Sequence, residues 1–310
     1  MSVTHYKCSD GESWYTTCTK DNKDTLPAGY YEICEDDWGK IFLKLKNISS
    51  DEIVSVPNES REKVLEITRN FLKNEYKESL KTLGMLNKLS VLLWGEPGTS
   101  KTVTITTLIE YATEQNCVII NGHDVRTLKG VINDIREIEP ERVIVVIWEE
   151  FDKLLDYSEE ALLQLLDGSD QLPNVLYLMT TNYIDRLPAR IIERCRRISF
   201  QVRFDFPSAE ERMVFFQKKI PSQYIMSKKT LETWVNESEG FSLDQCSQLI
   251  LSVFGFRQTL EDSLKDIRAR KNLKSQGEEE LERETEDEVF GDNEMPILSP
   301  PYPPAILIKP

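Results

Sequence analysis

Paired cysteines are missing from this chain. Its six cysteines, Cys8, Cys18, Cys34, Cys117, Cys195 and Cys246, form no CxxC spacing, and the first residues, MSVTHYKCSD, lack the apolar core of a secretory signal. Both absences speak against a disulfide scaffold and set the expectation of a reducing, cytoplasmic setting. Histidine is scarce as well. Cys8, Cys18 and Cys34 are widely spaced with only His5 near them, a pattern of ordinary thiols rather than of a zinc site. Long apolar runs are also lacking: the longest strongly apolar stretch, VIVVIW at 143–148, is far short of the ~20 residues a membrane helix needs. Basic charge is in deficit, with 38 Lys and Arg against 53 Asp and Glu and a net charge of -15. That balance works against sequence-independent binding to a phosphate backbone, while a local DNA contact stays open.

What is present fits a large domain with a smaller one attached, in 310 residues that are 40% hydrophobic. Residues 26–56 contain short β-rich stretches broken by Gly29 and Gly39, which predicts a small N-terminal β module over 1–56. A lead-in amphipathic helix follows over 60–83, with Val64, Ile67, Phe71, Leu72 and Leu80 at helical spacing. Strands SVLLWG, CVIING, VIVVIW, VLYLMTTN and ISFQV then alternate with helices, so 57–205 reads as an α/β domain with a parallel sheet covered on both faces, a three-layer fold. Helical patterns alone fill 206–274, a small α-helical lid. Residues 275–310 run from GEEELERETEDE into PPYPP, an acidic, proline-rich tail expected to be disordered.

The stretch GEPGTSKT at 95–102 departs by one letter from the phosphate-loop pattern GxxxxGK[ST], since Ser100 stands where a third glycine is usual. A buried-type strand leads in and a helix leads out. Gly95, Glu96, Pro97, Gly98, Thr99, Ser100, Lys101, Thr102 and Val103 are thus the candidate nucleotide-binding residues. Successive N–H groups of such a loop wrap a β-phosphate, Lys101 reaches the β and γ oxygens, and Thr102 offers its hydroxyl to Mg²⁺. Ser100 is expected at the helix start in right-handed backbone that any small residue tolerates, altering the fit and leaving the anion cradle intact.

A second apolar strand ends in Glu149, Glu150 and Asp152. One carboxylate beside a phosphate loop can hold the magnesium shell and another can orient the attacking water. Glu149 is assigned to the metal and Glu150 to the water, with the reverse order left open, and Asp152 is expected to cap the next helix.

With these motifs placed, residues 56–256 resemble the AAA+ ATPase superfamily, in particular AAA ATPases of bacterial and phage origin. The stretch LYLMTTNYIDRLPARIIERCRRISF at 176–200 is similar to that family's segment from the polar sensor to the arginine fingers. The resemblance implies that Asn182 aligns the water and that Arg194 and Arg197 reach the nucleotide of a neighbouring subunit. Arg190, Arg196 and Arg197 have a plainer reading as partners of surface carboxylates. A finger acting in trans implies a homo-oligomeric ring, usually a hexamer, using ATP and Mg²⁺ in the cytoplasm, the host's in the case of a phage protein. Three departures stand out: Ser100 for glycine, Glu149 for aspartate, and no second-sensor arginine in the lid stretch GFSLDQCSQL at 240–249. Leu128, Lys129 and Gly130 fall where the family carries its pore loop, and no aromatic is among them. Leu128 is therefore read either as a weak grip or as an ordinary helix-start residue.

Three functions are compatible with this reading. One is an ATP-driven remodeller of an unidentified protein partner. Another is a clamp-loader-like replication ATPase acting with DNA, which ERC at 193–195 suggests by its likeness to the SRC finger motif. The third is a nucleotide-gated binding protein with negligible hydrolysis.

Overall fold

The computed structural model describes residues 5–8, 12–17, 25–47, 54, 56–167, 171–224 and 227–270. Cys18 and the tail at 275–310 lie outside these. The chain divides into two compact units, Met1–Leu251 and Ser252–Pro310.

In the first unit nine strands form one sheet: β1 (His5–Cys8), β2 (Ser13–Thr17), β3 (Gly29–Glu35), β4 (Ile41–Lys46), β5 (Lys88–Trp94), β6 (Val118–Asn121), β7 (Ile144–Trp148), β8 (Val175–Thr181) and β9 (Phe200–Arg203). Their spatial order is β1-β2-β4-β3-β6-β7-β8-β5-β9. The pairings from β3 through β6, β7, β8 and β5 to β9 are all parallel. Those among β1, β2, β4 and β3 are antiparallel. The N-terminal β element is therefore hydrogen-bonded into the main sheet, Gly29–Glu32 lying beside Val118–Asn121.

Burial follows the alternation of a sheet covered twice. Leu92, Val146 and Tyr177 face one core, shared with α4 (Val125–Ile138) and α5 (Phe151–Leu166). Val91, Leu93, Val145 and Leu176 face the other, shared with α1 (Glu59–Leu72) and α3 (Lys101–Glu114). Val91, Leu92 and Leu93 are 0% exposed, and each such side chain contributes about 2 kcal/mol through burial. The chain leaves β5 towards one face and β7 towards the other, with β8 between them. A crevice opens at the carboxyl ends of the strands where connections diverge in this way, the usual position for a ligand in such sheets.

Several helices depart from their expected bounds. The lead-in helix is two, α1 and α2 (Asn74–Thr82), because Lys73 between them is extended at φ -73°, ψ 136°. Helix α4 begins at Val125, earlier than the apolar pattern suggests, because the Asp124 side chain caps the amides of Arg126 and Thr127. Leu128 consequently lies inside α4 and is 0% exposed, which rules out the pore-grip reading for that side chain. Helix α5 starts at Phe151, and a single residue inside it, Ser158 at φ -143°, kinks it.

After α6 (Ala189–Ile192) and β9, three helices make the lid: α7 (Ala209–Lys219), α8 (Lys228–Glu237) and α9 (Leu243–Ile250). Capping boxes start two of them, Ser208 with Glu211 and Ser242 with Gln245. Phe216 packs edge-on against Trp234 at 5.4 Å. Helix α9 ends at Ile250, and Leu251–Gly255 form one wide π-turn. In the second unit residues 260–270 are helical, and Thr259 caps that helix by accepting from the Asp262 amide at 3.1 Å.

Candidate functional site

The loop after β5 takes a shape only glycine permits at two points. Gly95 has φ +146°, and a Cβ there would sit 2.1 Å from the Phe204 carbonyl oxygen. Gly98 has φ +76°, and its Cβ would meet Ser242 Oγ at 2.7 Å and Asp244 Oδ2 at 2.9 Å. The Thr99 hydroxyl donates to the Glu96 carbonyl at 2.7 Å and tightens the turn. Ser100 departs from expectation: it adopts φ +75°, ψ +19°, the left-handed region, and carries no side-chain cap bond. The elbow itself needs that conformation, which explains why the general pattern has glycine there. A serine in it costs on the order of 1 kcal/mol.

Lys101 opens α3 with its ammonium folded back on its own loop, donating to the carbonyls of Gly95 at 2.6 Å and Glu96 at 2.8 Å. Burial pushes its pKa down to about 8, partly countered by the Glu96 carboxylate. Thr102 is exposed at the first turn of the helix. A cavity of about 380 Å³ lies over this loop, lined by Pro97, Gly98, Ser100, Lys101, Thr102 and Val103, with Asn182 from the end of β8. Its remaining walls come from Val54 and from the lid residues Phe215, Lys219, Leu243, Asp244 and Ser247. Gly95, Glu96 and Thr99 shape the loop without bordering the cavity.

The acidic strand end forms a second elbow. Trp148 stacks on Tyr177 at 4.9 Å and on Phe151 at 5.8 Å, and its indole N–H donates to the Gly122 carbonyl at 2.7 Å. On this base Glu150 turns through the left-handed region at φ +51°, ψ +53°. Its amide donates to Thr180 Oγ1 at 3.3 Å, and its carboxylate accepts from Lys153 at 2.8 Å. Asp152, expected as a helix cap, is instead a buried residue within α5 whose Oδ1 accepts the Thr181 hydroxyl at 2.6 Å. Thr180 and Thr181 thus clip the acidic elbow to β8 immediately before Asn182. Glu149 and Glu150 follow the neighbouring strand without bordering the cavity.

The two candidate fingers part company. Arg194 is exposed, with a guanidinium nitrogen 3.7 Å from the Asp167 carboxylate. Arg197 is buried, its Nε donating to Asp167 at 2.8 Å and its Nη1 to the Arg190 carbonyl at 2.9 Å. Asp167 at the end of α5 supplies the counter-charge that draws Arg197 inward, which corrects its reading as a free finger in this arrangement. Arg190 pairs with Glu159, so the plainer reading holds for Arg190 and Arg197.

Residues 91–206, which carry both elbows and the arginine cluster, match the ATPase family associated with various cellular activities (AAA). Across residues 91–206 the chain carries an AAA domain of the AAA+ ATPase superfamily. The chain is similar to the proteasome-activating nucleotidase of Saccharolobus solfataricus, 27% identical over 225 residues that cover 64% of the chain and 55% of that protein. It is also similar to replication factor C subunit 3 of Saccharomyces cerevisiae, 29% identical over 121 residues, 36% of the chain and 35% of that protein. The chain thus spans about half or less of the length of these curated relatives.

Sequence reasoning missed several groups at this AAA+ site. Val54, Phe215 and Lys219 carry no motif of their own and are brought in by the fold. Asp244 stood in a lid stretch recognised only for the arginine it lacks. Tyr30 of β3 hydrogen-bonds to the Asn121 side chain, and its hydroxyl pKa is raised by burial and then by nearby Glu149. The N-terminal strands therefore reach the electrostatic surroundings of the acidic elbow. Among the described residues no three His, Cys, Asp or Glu side chains converge as a metal site. Magnesium held mainly by phosphate, with one or two protein groups, needs no such cluster.

Proposed function

We propose that this chain binds ATP with Mg²⁺ and hydrolyses it, working in a ring of several copies to remodel a protein partner. The observation that carries the reading is the cavity itself, where Lys101, Thr102 and Asn182 meet under a helical lid. In this reading the loop amides of 95–102 hold the phosphates. Lys101 turns from the carbonyls of Gly95 and Glu96 to the β and γ oxygens, an exchange its surroundings favour because the buried ammonium gains full counter-charges. Thr102 and Glu149 are the protein groups fitted to Mg²⁺, which when bound would neutralise charge on the β and γ oxygens. Glu150 orients and polarises water, with Asn182 aligning it from β8. Arg194, exposed and weakly held, is the residue available to a neighbouring copy's nucleotide.

Similarity to a proteasome-activating nucleotidase supports a protein partner. Similarity to replication factor C subunit 3 supports the second reading, a clamp-loader-like ATPase acting with DNA, and the net charge of -15 weighs against it. Phosphate release measured with and without primed DNA separates the two: turnover independent of DNA supports remodelling, and strong stimulation supports the alternative. Glu150→Gln, purified with ATP, is expected to retain nucleotide and to hold the remodelled partner. Undiminished turnover in that variant overturns the assignment of Glu150.

A further inference from the structure

The lid presents an acid to a cavity built for an anion. The Leu243 amide donates to the Gly98 carbonyl at 3.3 Å, which draws the first turn of α9 onto the phosphate loop. Asp244 and Ser247, one turn apart on that helix, both line the cavity. The Asp244 carboxylate lies over the loop, since Oδ2 is 2.9 Å from where a Gly98 Cβ would stand. Among the described residues no salt bridge holds Asp244. The basic groups on the same cavity are Lys101, committed to its loop carbonyls, and Lys219 on α7.

We propose that Asp244 is an electrostatic gate on the nucleotide cavity, a residue that sets affinity by repelling phosphate charge until the lid moves off the loop. The inference rests on the ATP reading above. A carboxylate beside the loop opposes an incoming polyphosphate in proportion to the charge that ligand carries. The opposition weakens when Mg²⁺ neutralises part of that charge and when salt screens it. A residue acting only through lid packing would change affinity equally for charged and uncharged ligands.

Calorimetric titration of the whole chain and of Asp244→Asn with ATP, ADP and adenosine tests this, at low and at high salt. The expected result is about tenfold tighter ATP binding in the variant, the size of a partly screened charge pair several ångströms apart. A smaller gain is expected for ADP and none for adenosine, and the ATP gain shrinks in high salt. Asp244→Ser repeats the test with a smaller side chain if the Asn variant does not fold. Equal ATP affinity in wild type and variant, or an equal gain for adenosine, overturns the gate and leaves the nucleotide site standing. Absence of binding to every adenine nucleotide in both proteins overturns the ATP reading and the gate with it.

Discussion

The phosphate elbow after β5 and the acidic elbow after β7 solve the same problem by different means. Each turns a buried strand sharply into a helix, and each passes through a left-handed residue that is not glycine, Ser100 at φ +75° and Glu150 at φ +51°. The phosphate elbow surrounds its strained residue with Gly95 and Gly98, and its tightness comes from small size. The acidic elbow has no glycine and is held by mass and hydrogen bonds: Trp148 stacked on Tyr177, and the Thr180 and Thr181 hydroxyls on Glu150 and Asp152. Strained backbone persists where surroundings over-determine it, and such positions gather at working sites. In the function proposed above, the first elbow governs capture of the ligand and the second governs reaction.

The largest effects should split along that line. Lys101→Ala is expected to weaken ATP binding by at least about 100-fold, through loss of the one ammonium aimed from the loop, with calorimetry as the check. Glu150→Gln is expected to leave binding intact and to cut turnover by about 10² to 10⁴, the usual worth of a positioned base. Equal loss of binding in both variants would erase the distinction between the elbows.

The arginine cluster sharpens it further. Arg194→Ala is expected to lower turnover with the melting temperature unchanged. Arg197→Ala breaks a buried pair with Asp167 and is expected to cost about 3 kcal/mol of stability, measured by denaturant unfolding. Reversal of that pattern would make Arg197 the functional arginine.

A pH series separates capture from folding. Lys101 and Lys88 both have pKa values lowered by burial to about 8. For a lysine depressed in the folded state, the penalty of burying its charge is fully present below that value and is relieved as pH rises towards the unfolded value. These two groups therefore make stability rise from about pH 8 to 10.5. ATP affinity runs the other way, since the phosphates need the charged form, and is expected to fall above about pH 8 in the wild type. Lys88 sits at the opposite end of β5 and affects only the first trend.

The smallest expected effect concerns strain. Ser100→Gly relieves about 1 kcal/mol of left-handed cost and loses part of it to unfolded-chain entropy, for a net gain of about 0.5 kcal/mol. A thermal melt of that variant with no rise would indicate that the serine contributes a compensating contact.

How much of this was legible in the sequence differs between the elbows too. GEPGTSKT shows its chemistry in residue order, because strand, loop, lysine and helix are contiguous, and the alternation of strands and helices gave the parallel sheet. Backbone conformation at Ser100 is not legible from its hydroxyl chemistry, which says nothing about φ, and the position of the missing glycine is the signal. Around the acidic elbow the holding contacts are long-range. Asp152 meets Thr181 across 29 residues and Trp148 meets Gly122 across 26, so the cap expected of Asp152 followed from local reasoning alone. Arg197 escapes local reasoning for the same reason, since Asp167 lies 30 residues upstream. The lid wall, with Phe215, Lys219 and Asp244, is assembled by tertiary packing of short helices and has no local pattern to read.

The central claim is that the loop around Gly98 captures a nucleoside triphosphate despite a serine in the third glycine position. Calorimetric titration of the wild type and Lys101→Ala with ATP and Mg²⁺ near pH 7.5 tests it most directly. The account predicts saturable heat in the wild type and loss of it in the variant. No heat in the wild type at millimolar ATP, or equal heat in both, would contradict it.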